Sequence, residues 1–269
     1  MLLAADPRDA RAGAQRTKVA AWLRQRGVER VTSAARADLA IVLGGDGTFL
    51  RTARQLEKAK VALIGLRLGT FGFLAELEPD RWERDLERLL QGKGKVESWL
   101  RLHCRILRPG ARPRKLGLAV NDIVLTADKV ARLVQVVLRI DGQDVSRFRG
   151  DGIIVATPVG STAHSLAAGG PILEPTARSL LMTPLASQAL TYRPLVLQAS
   201  RRIELVVVGS RSGTSLTMDG QVTVALSPGT VVEVSDSGQD LKVASVGRRS
   251  RFLTLRDRLR WGEPLIDGG

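Results

Sequence analysis

Residues Leu43 to Thr48 read Leu-Gly-Gly-Asp-Gly-Thr, three glycines and a threonine around one acid. They follow an apolar run, Leu39 to Leu43, with the make-up of a buried strand, and they open into a helix-compatible stretch from Thr48 to Ala59. Glycines at such a junction let the chain turn through positive φ and let a phosphate come close to backbone N–H groups. A carboxylate among those amides repels phosphate. Asp46 therefore suits another task, that of a base beside a phosphate site. The same letters also fit an ordinary Asp-Gly turn after a strand.

A second constellation spans Arg149 to Pro171. A β-branched strand, Ile153 to Val155, runs into Thr157-Pro-Val-Gly160. Ser161 and Thr162 are then placed to cap a short helix that ends at Gly169-Gly170. Hydroxyls and free amides at a helix start suit ligand oxygens or ring nitrogens, although a capped helix needs no ligand. A third is the pair Asn121-Asp122, set between Leu118-Ala-Val120 and Ile123-Val-Leu125. An amide and an acid inside apolar sequence are costly unless paired. Either they close a turn, or they read hydroxyls and a ring edge of a ligand.

The elements around these residues change rhythm once. Met1–Ala5, Leu39–Leu43 and Val61–Leu66 read as strands. Asp9–Gln25 reads as a helix with Ala20, Ala21 and Leu23 on its apolar side, and Pro79–Leu90 as another with Trp82, Leu86, Leu89 and Leu90 at helical spacing. Alternating strands and helices predict a parallel sheet, whose ligands bind beyond the carboxyl ends of the strands, where Gly44 to Thr48 lie. After Lys95 the period becomes two. Val134, Val136, Leu138 and Ile140 lead into an Asp141-Gly142 hairpin turn, Ile203, Leu205 and Val207 repeat the pattern, and Met218-Asp-Gly-Gln221 and Pro228-Gly229 punctuate further β-like runs. Phe252, Leu255 and Leu259 then return to helical spacing over Arg251–Trp261. The expected architecture is an α/β domain with a parallel sheet over residues 1–94, a mostly antiparallel β domain over 95–247, and a terminal segment over 248–269.

Composition narrows the class. The 269 residues, 44% hydrophobic and 25% charged, make a globular chain with ample core. No apolar stretch approaches a membrane span, and Asp6-Pro7 follows the first residues too soon for a signal peptide. The single cysteine, Cys104, permits neither an internal disulfide nor a cysteine metal cluster. These features read as a cytoplasmic protein that is not bound to membrane. The net charge of +14 suits polyphosphorylated ligands as well as nucleic acid. With aromatics at only 4% and the arginines spread from Arg8 to Arg260, the reading is against nucleic acid.

Taken together, these segments resemble the NAD kinase family. Its Gly-Gly-Asp-Gly loop, Asn-Glu/Asp pair, Gly-Asp-Gly strand, Thr-Pro-Thr-Gly-Ser-Thr-Ala-Tyr-Ser segment and late Asp-Gly-Gln turn have counterparts here at 44–47, 121–122, 150–152, 157–165 and 219–221, in the same order. Lesser matches are Gly72-Phe-Leu74, Arg193-Pro-Leu195 and the Phe252–Trp261 ending. The resemblance implies transfer of a phosphoryl group from ATP or inorganic polyphosphate to the adenosine 2′-hydroxyl of NAD or NADH. It also implies a divalent metal, magnesium, arriving with the donor, a homodimer or homotetramer, and a terminal helix that returns to the first domain.

By the same resemblance Asp46 is the general base, and Gly45 and Gly47 lie in the loop beside the ribose. Asn121 and Asp122 hold the dinucleotide. Arg132 is a basic contact from the strand after that pair, and Arg149 and Asp151 are contacts from the strand before the short helix. Thr162, Ala163, His164, Ser165 and Ala167 line the adenine and nicotinamide pockets, and Gln221 is a late polar contact. Arg51 or Arg67 neutralises donor phosphate by proximity to the loop. The chain departs from the family pattern at Arg67, where an asparagine is usual, at Val159, where a threonine is usual, and at His164, where a tyrosine is usual.

Two other classes remain open on residues alone. Lipid kinases and phosphofructokinases share a Gly-Gly-Asp-Gly element, but the 157–165 segment and Asn121-Asp122 argue against them. A non-enzymatic basic nucleotide binder would need no carboxylate in the glycine loop.

Overall fold

The computed structural model describes residues 1–69, 72–129, 132–210, 212–247 and 251–259. Two compact units emerge. One gathers residues 1–49, 61–97 and the described residues from Val243 onward; the other gathers 50–60 and 98–242. The first unit is thus discontinuous in sequence, and it takes back chain after the second is complete.

In the first unit the order is β1 (Leu2–Ala5), α1 (Ala10–Gln25), β2 (Leu39–Leu43), α2 (Asp46–Gln55), β3 (Ala62–Leu66), β4 (Ala75–Leu77), α3 (Trp82–Leu90) and β5 (Lys95–Trp99). β1 and β2 pair in parallel, as do β2 and β3, and β3 and β4. Every residue of β2 is buried, as expected of a central parallel strand covered on both faces. Asp9 caps α1 by accepting the N–H groups of Arg11 and Ala12. The buried stripe of α1 is Ala12, Val19, Trp22 and Leu23, whereas Ala20 and Ala21 are only half-buried. Trp22 meets Trp82 of α3 edge to face at 5.6 Å, and the Arg26 guanidinium lies over Trp22 while pairing with Glu87. α3 starts at Trp82 rather than Pro79; Leu86 is buried, Leu89 half-buried, and Leu90 turns outward.

The second unit continues with β6 (Leu102–Leu107), β7 (Arg114–Ala119), β8 (Asp122–Ala127), β9 (Val134–Ile140), β10 (Gln143–Gly150) and β11 (Gly152–Ala156). After a short helix, α4 (His164–Ala167), come β12 (Ser179–Leu185), β13 (Leu195–Gln198), β14 (Ile203–Gly209), β15 (Thr214–Met218), β16 (Val222–Leu226) and β17 (Val231–Asp236). They form two six-stranded sheets, ordered β10-β9-β14-β17-β6-β7 and β13-β12-β11-β8-β15-β16. All their pairings are antiparallel. Alternate residues of both sheets, such as Val136, Leu205 and Val234 from one and Ile123, Val155 and Leu216 from the other, join a single buried cluster, so the sheets pack face to face. Asp141 and Gly142, both at positive φ, close the β9–β10 hairpin as the sequence predicts.

The last strand, β18 (Leu241–Ser245), runs parallel to β3, with Val243 opposite Leu63, and the first sheet is ordered β1-β2-β3-β18-β5 with β4 beside β3. The sheet therefore recruits strands on either side of the β-rich region, beyond the boundary expected at residue 94. A final helix, α5 (Arg251–Leu259), carries the helical spacing read from Phe252 onward. Trp261 and the rest of the expected terminal motif lie outside the described residues. No described helix is long and apolar enough to cross a membrane.

Leu205 is fully buried in β14 between the two sheets. Leu205→Ala is expected to lower the unfolding free energy by about 2–5 kcal/mol, measured by urea denaturation. A change below about 1 kcal/mol would mean that the two sheets do not pack through this strand.

Candidate functional site

Asp46 is the first residue of α2, which therefore begins two residues earlier than the sequence suggests. The Gly45 carbonyl accepts the N–H groups of Thr48 and Phe49 and so caps the helix start. Among the described residues the Asp46 carboxylate is held by backbone N–H groups. Oδ2 accepts the Phe73 N–H at 2.8 Å and Oδ1 accepts the Leu74 N–H at 3.1 Å. A carboxylate offers about four lone-pair directions, so each oxygen keeps one for a further donor. The approach depends on Gly72: its φ is +151°, and a Cβ there would stand 2.5 Å from Asp46 Oδ1. Gly-Phe-Leu at 72–74 is thus the clamp on the acid, a role its sequence did not reveal. Gly45 and Gly47 are exposed on either side of it, and Arg51 is half-buried one turn on. Arg67 pairs with Glu78, so its charge is already matched.

The second group lies in the β-rich unit, where the chain leaves one sheet for the other. β7 belongs to the β10-β9-β14-β17-β6-β7 sheet and β8 to the other sheet of the sandwich, and Val120-Asn121 is the crossing. The pair closes no hairpin turn: Asn121 precedes β8 and Asp122 is its first residue. A crossing leaves backbone groups without a ladder partner, and here Asp219 supplies one. Its Oδ2 accepts the Val120 N–H at 2.9 Å, and Oδ1 accepts those of Asn121 at 2.8 Å and Asp122 at 3.1 Å. The Asp219 N–H donates to the Asp122 carbonyl at 3.0 Å.

The carbonyl side of the crossing is held from β11. The Thr157 hydroxyl donates to the Val120 carbonyl at 2.6 Å and accepts the Gly160 N–H at 2.9 Å, while the Thr157 N–H donates to the Asn121 carbonyl at 2.8 Å. Gly160 has no alternative, since a Cβ would collide with the Asn121 carbonyl. The start of β8 and the ends of β11 and β15, three adjacent strands, meet at this edge. The Asn121 Oδ1 is buried there and finds no hydrogen-bond donor among the described residues. Such an orphan costs on the order of 1–3 kcal/mol, and a ligand N–H or O–H would satisfy it.

Asp122 is 5% exposed, and its carboxyl is pushed up to about 7, first by burial and then by the neighbouring Asp219 charge. Burial also raises the Asp219 carboxyl, against the pull of its three N–H donors and of Arg54. The segment after Thr157 differs from the capped helix expected. Ser161 is buried; its hydroxyl donates to the Pro158 carbonyl and accepts the Leu173 N–H. Thr162 donates to the Val159 carbonyl, and α4 has no side-chain cap. Val159 is itself buried, which suits its apolar side chain. Ser165 is also buried, its hydroxyl bonded to Thr183 at 2.7 Å, while Thr162 and Ala163 are half-buried and His164 and Ala167 are exposed. Gln221 is half-buried just past the Asp219 turn.

The remaining expected contacts are elsewhere. Arg132 lies in the connection before β9, not in a strand, Arg149 lies in β10 opposite Gln135, and Asp151 leads into β11; all three are exposed. Asp151 precedes and Thr157 follows β11, and the six steps between them span roughly 20 Å. The structure thus gathers Asn121, Asp122, Gln221 and the 157–165 segment at one end of the β8-β11-β15 sheet, with Asp151 at the far end of β11, while Arg149 and Arg132 belong to the β9–β10 edge of the other sheet. Sequence reasoning noted Asp219 as a turn and did not assign it to the site; no local pattern signals a carboxylate whose partners lie about a hundred residues earlier.

Comparisons with known proteins agree across both units. Residues 3–94 match the family model of the ATP-NAD kinase N-terminal domain and residues 120–246 that of the ATP-NAD kinase C-terminal domain. The chain is 40% identical over 226 residues to an NAD kinase of Acidobacterium capsulatum, covering 84% of this chain and 79% of that one. It is 38% identical over 225 residues to that of Aquifex aeolicus, covering 84% and 82%. Among solved structures it resembles an NAD kinase from Archaeoglobus fulgidus in complex with ATP, with a TM-score of 0.78 and 27% identity over 96% of this chain and 98% of that one. It also shares the fold of yeast NADH kinase, with a TM-score of 0.89 and 22% identity over 100% and 89%.

The Asp122 carboxyl has a pH signature. Its value in the fold, about 7, stands above the ordinary 3.8, so the fold keeps a proton that the unfolded chain loses in between. Asp122 is therefore best tolerated below 3.8, and stability falls as pH rises toward 7. Asp122→Asn removes this charge. It should raise the urea midpoint at pH 8 and have little effect near pH 4; equal effects at both would contradict the burial of an ionising acid.

Proposed function

The chain belongs to the NAD kinase family, and from that premise we propose that it phosphorylates the adenosine 2′-hydroxyl of NAD or NADH, with ATP or inorganic polyphosphate as donor. The observation that carries the mechanism is the Asp46 carboxylate, fixed by the Phe73 and Leu74 N–H groups with lone pairs still free. Asp46 accepts the 2′-hydroxyl proton as that oxygen forms its bond to the terminal phosphorus. The bond from phosphorus to the bridging oxygen breaks, and ADP, or the shortened polyphosphate, leaves with the bonding pair. Transfers of this kind depend on positioning and charge more than on covalent catalysis. The archaeal relative's complex with ATP supports ATP as donor.

Among the described residues no group of three or more His, Cys, Asp or Glu side chains is placed to hold a metal. Magnesium, on this reading, would arrive with the donor, where it would supply charge neutralisation of the phosphates. Gly45, Gly47 and Arg51 flank the reacting groups. Asn121 and Asp122 read the dinucleotide, with Thr162, Ala163 and the exposed His164 ring beside them, Gln221 at the neighbouring turn, and Ser165 and Ala167 shaping α4. Asp151, roughly 20 Å away along β11, and Arg132 and Arg149 of the neighbouring β9–β10 edge suit a ligand held by a second copy. That separation supports a homodimer or homotetramer. A cytoplasmic location agrees with the single, buried and free cysteine.

The test is incubation with magnesium, each donor and each dinucleotide, followed by identification of the 2′-phosphorylated product; no product from any pair overturns the proposal. Asp46→Asn preserves the shape of the loop and removes the proton acceptor. Its kcat is expected to fall roughly 10²–10⁴-fold with little change in dinucleotide KM. Turnover within a few-fold of wild type would reduce Asp46 to a turn residue.

A further inference from the structure

We propose that Asp219 is a positioning residue for the dinucleotide, acting through the Val120–Asp122 backbone that it holds. This rests on the dinucleotide kinase reading and adds to it a residue that touches no substrate.

The geometry is specific. A strand pair satisfies its backbone groups by a ladder, but a chain changing sheets cannot, and three successive N–H groups would be left buried. One carboxylate takes all three, at 2.8 to 3.1 Å. It is brought there by a turn with Asp219 itself at φ +50° and Gly220 at +64°, a conformation that a non-glycine residue adopts at some cost. The return bond from the Asp219 N–H to the Asp122 carbonyl locks the turn to the same peptide. Asp219 is 7% exposed, so these charge-assisted bonds face little competition from water.

This clamp sets two side chains. Asn121 projects an amide oxygen that is buried and finds no donor among the described residues. The Asp122 carboxyl, 5% exposed, lies beside the charge of Asp219. An exposed loop would reach the ligand as well, but it would have to order Asn121 and Asp122 at each binding event. The clamp orders them beforehand. Among the described residues the charges that act here are Asp219 of the β15–β16 turn on Asp122, and Arg54 of α2 on Asp219; Thr157 to Gly160, packed on the other side, are uncharged.

Asp219→Asn tests this. Its oxygen still serves Asn121 and Asp122, but its NH₂ would face the Val120 N–H, and the negative charge beside Asp122 is gone. The dinucleotide KM is expected to rise about ten- to a hundredfold, with kcat within a few-fold and the donor KM unchanged. The inflection in the pH profile of kcat/KM for the dinucleotide should move to lower pH, because Asp122 no longer has a like-charged neighbour. Thr157→Val, which removes the hydroxyl holding the Val120 carbonyl, carries the test if Asp219→Asn does not fold, and should show the same selective rise in KM. A dinucleotide KM within twofold of wild type, or a fall in active fraction with kinetic constants and pH profile unchanged, overturns the assignment and leaves Asp219 a structural residue. If wild-type protein phosphorylates no dinucleotide, the activity itself is refuted, and the assignment with it.

Discussion

Three consecutive N–H groups, from Val120, Asn121 and Asp122, converge on the carboxylate of Asp219, where the chain passes from one sheet of the sandwich to the other. Such a crossing removes peptides from both ladders, and buried peptides without partners are expensive. A neutral side chain can present at most two acceptor lone pairs on one oxygen, whereas an ionised carboxylate presents twice as many on two. The acid is therefore what lets β7 hand over to β8 without a solvated loop. It also explains why Thr157 and Gly160 are needed opposite: they complete the carbonyl side of the same peptides.

The first unit solves a similar problem with the same chemistry. Asp46 at the head of α2 is held by two backbone N–H groups from Phe73 and Leu74, and Gly72 clears the space. In both places a carboxylate is held by backbone amides. The two acids differ in what remains available. Asp46 is half-buried and keeps lone pairs for a proton, while Asp219 is buried and uses its oxygens on the backbone. That difference fits the proposed roles, a reacting group for Asp46 and an arranging one for Asp219.

Local chemistry was legible in the sequence wherever neighbours in the chain are neighbours in space. The Asp141-Gly142 turn, the alternation over Val134–Ile140 and the fully apolar Leu39–Leu43 run each have their partners within a few residues or their burial written in composition. Asp46 could be picked out because three glycines frame it. The rest was hidden by distance along the chain. Leu241–Ser245 reads like any antiparallel strand, and only pairing with residue 63 shows that it belongs to the first sheet. Ser161 and Thr162 have the composition of helix caps, yet their hydroxyls turn to Pro158, Leu173 and Val159 instead. Asp219 looked like half of an Asp-Gly turn because its three donors lie 97 to 99 residues away.

Residue-resolved amide hydrogen exchange tests the role of this carboxylate most directly. If Asp219 holds the crossing, the Val120, Asn121 and Asp122 amides exchange as slowly as those of the central strands β8 and β11 in the wild-type protein. In Asp219→Ala these three lose their protection while Ile154 and Val155 of β11 retain theirs. Rapid exchange of the three amides in the wild type, or unchanged protection in the variant, would contradict the account.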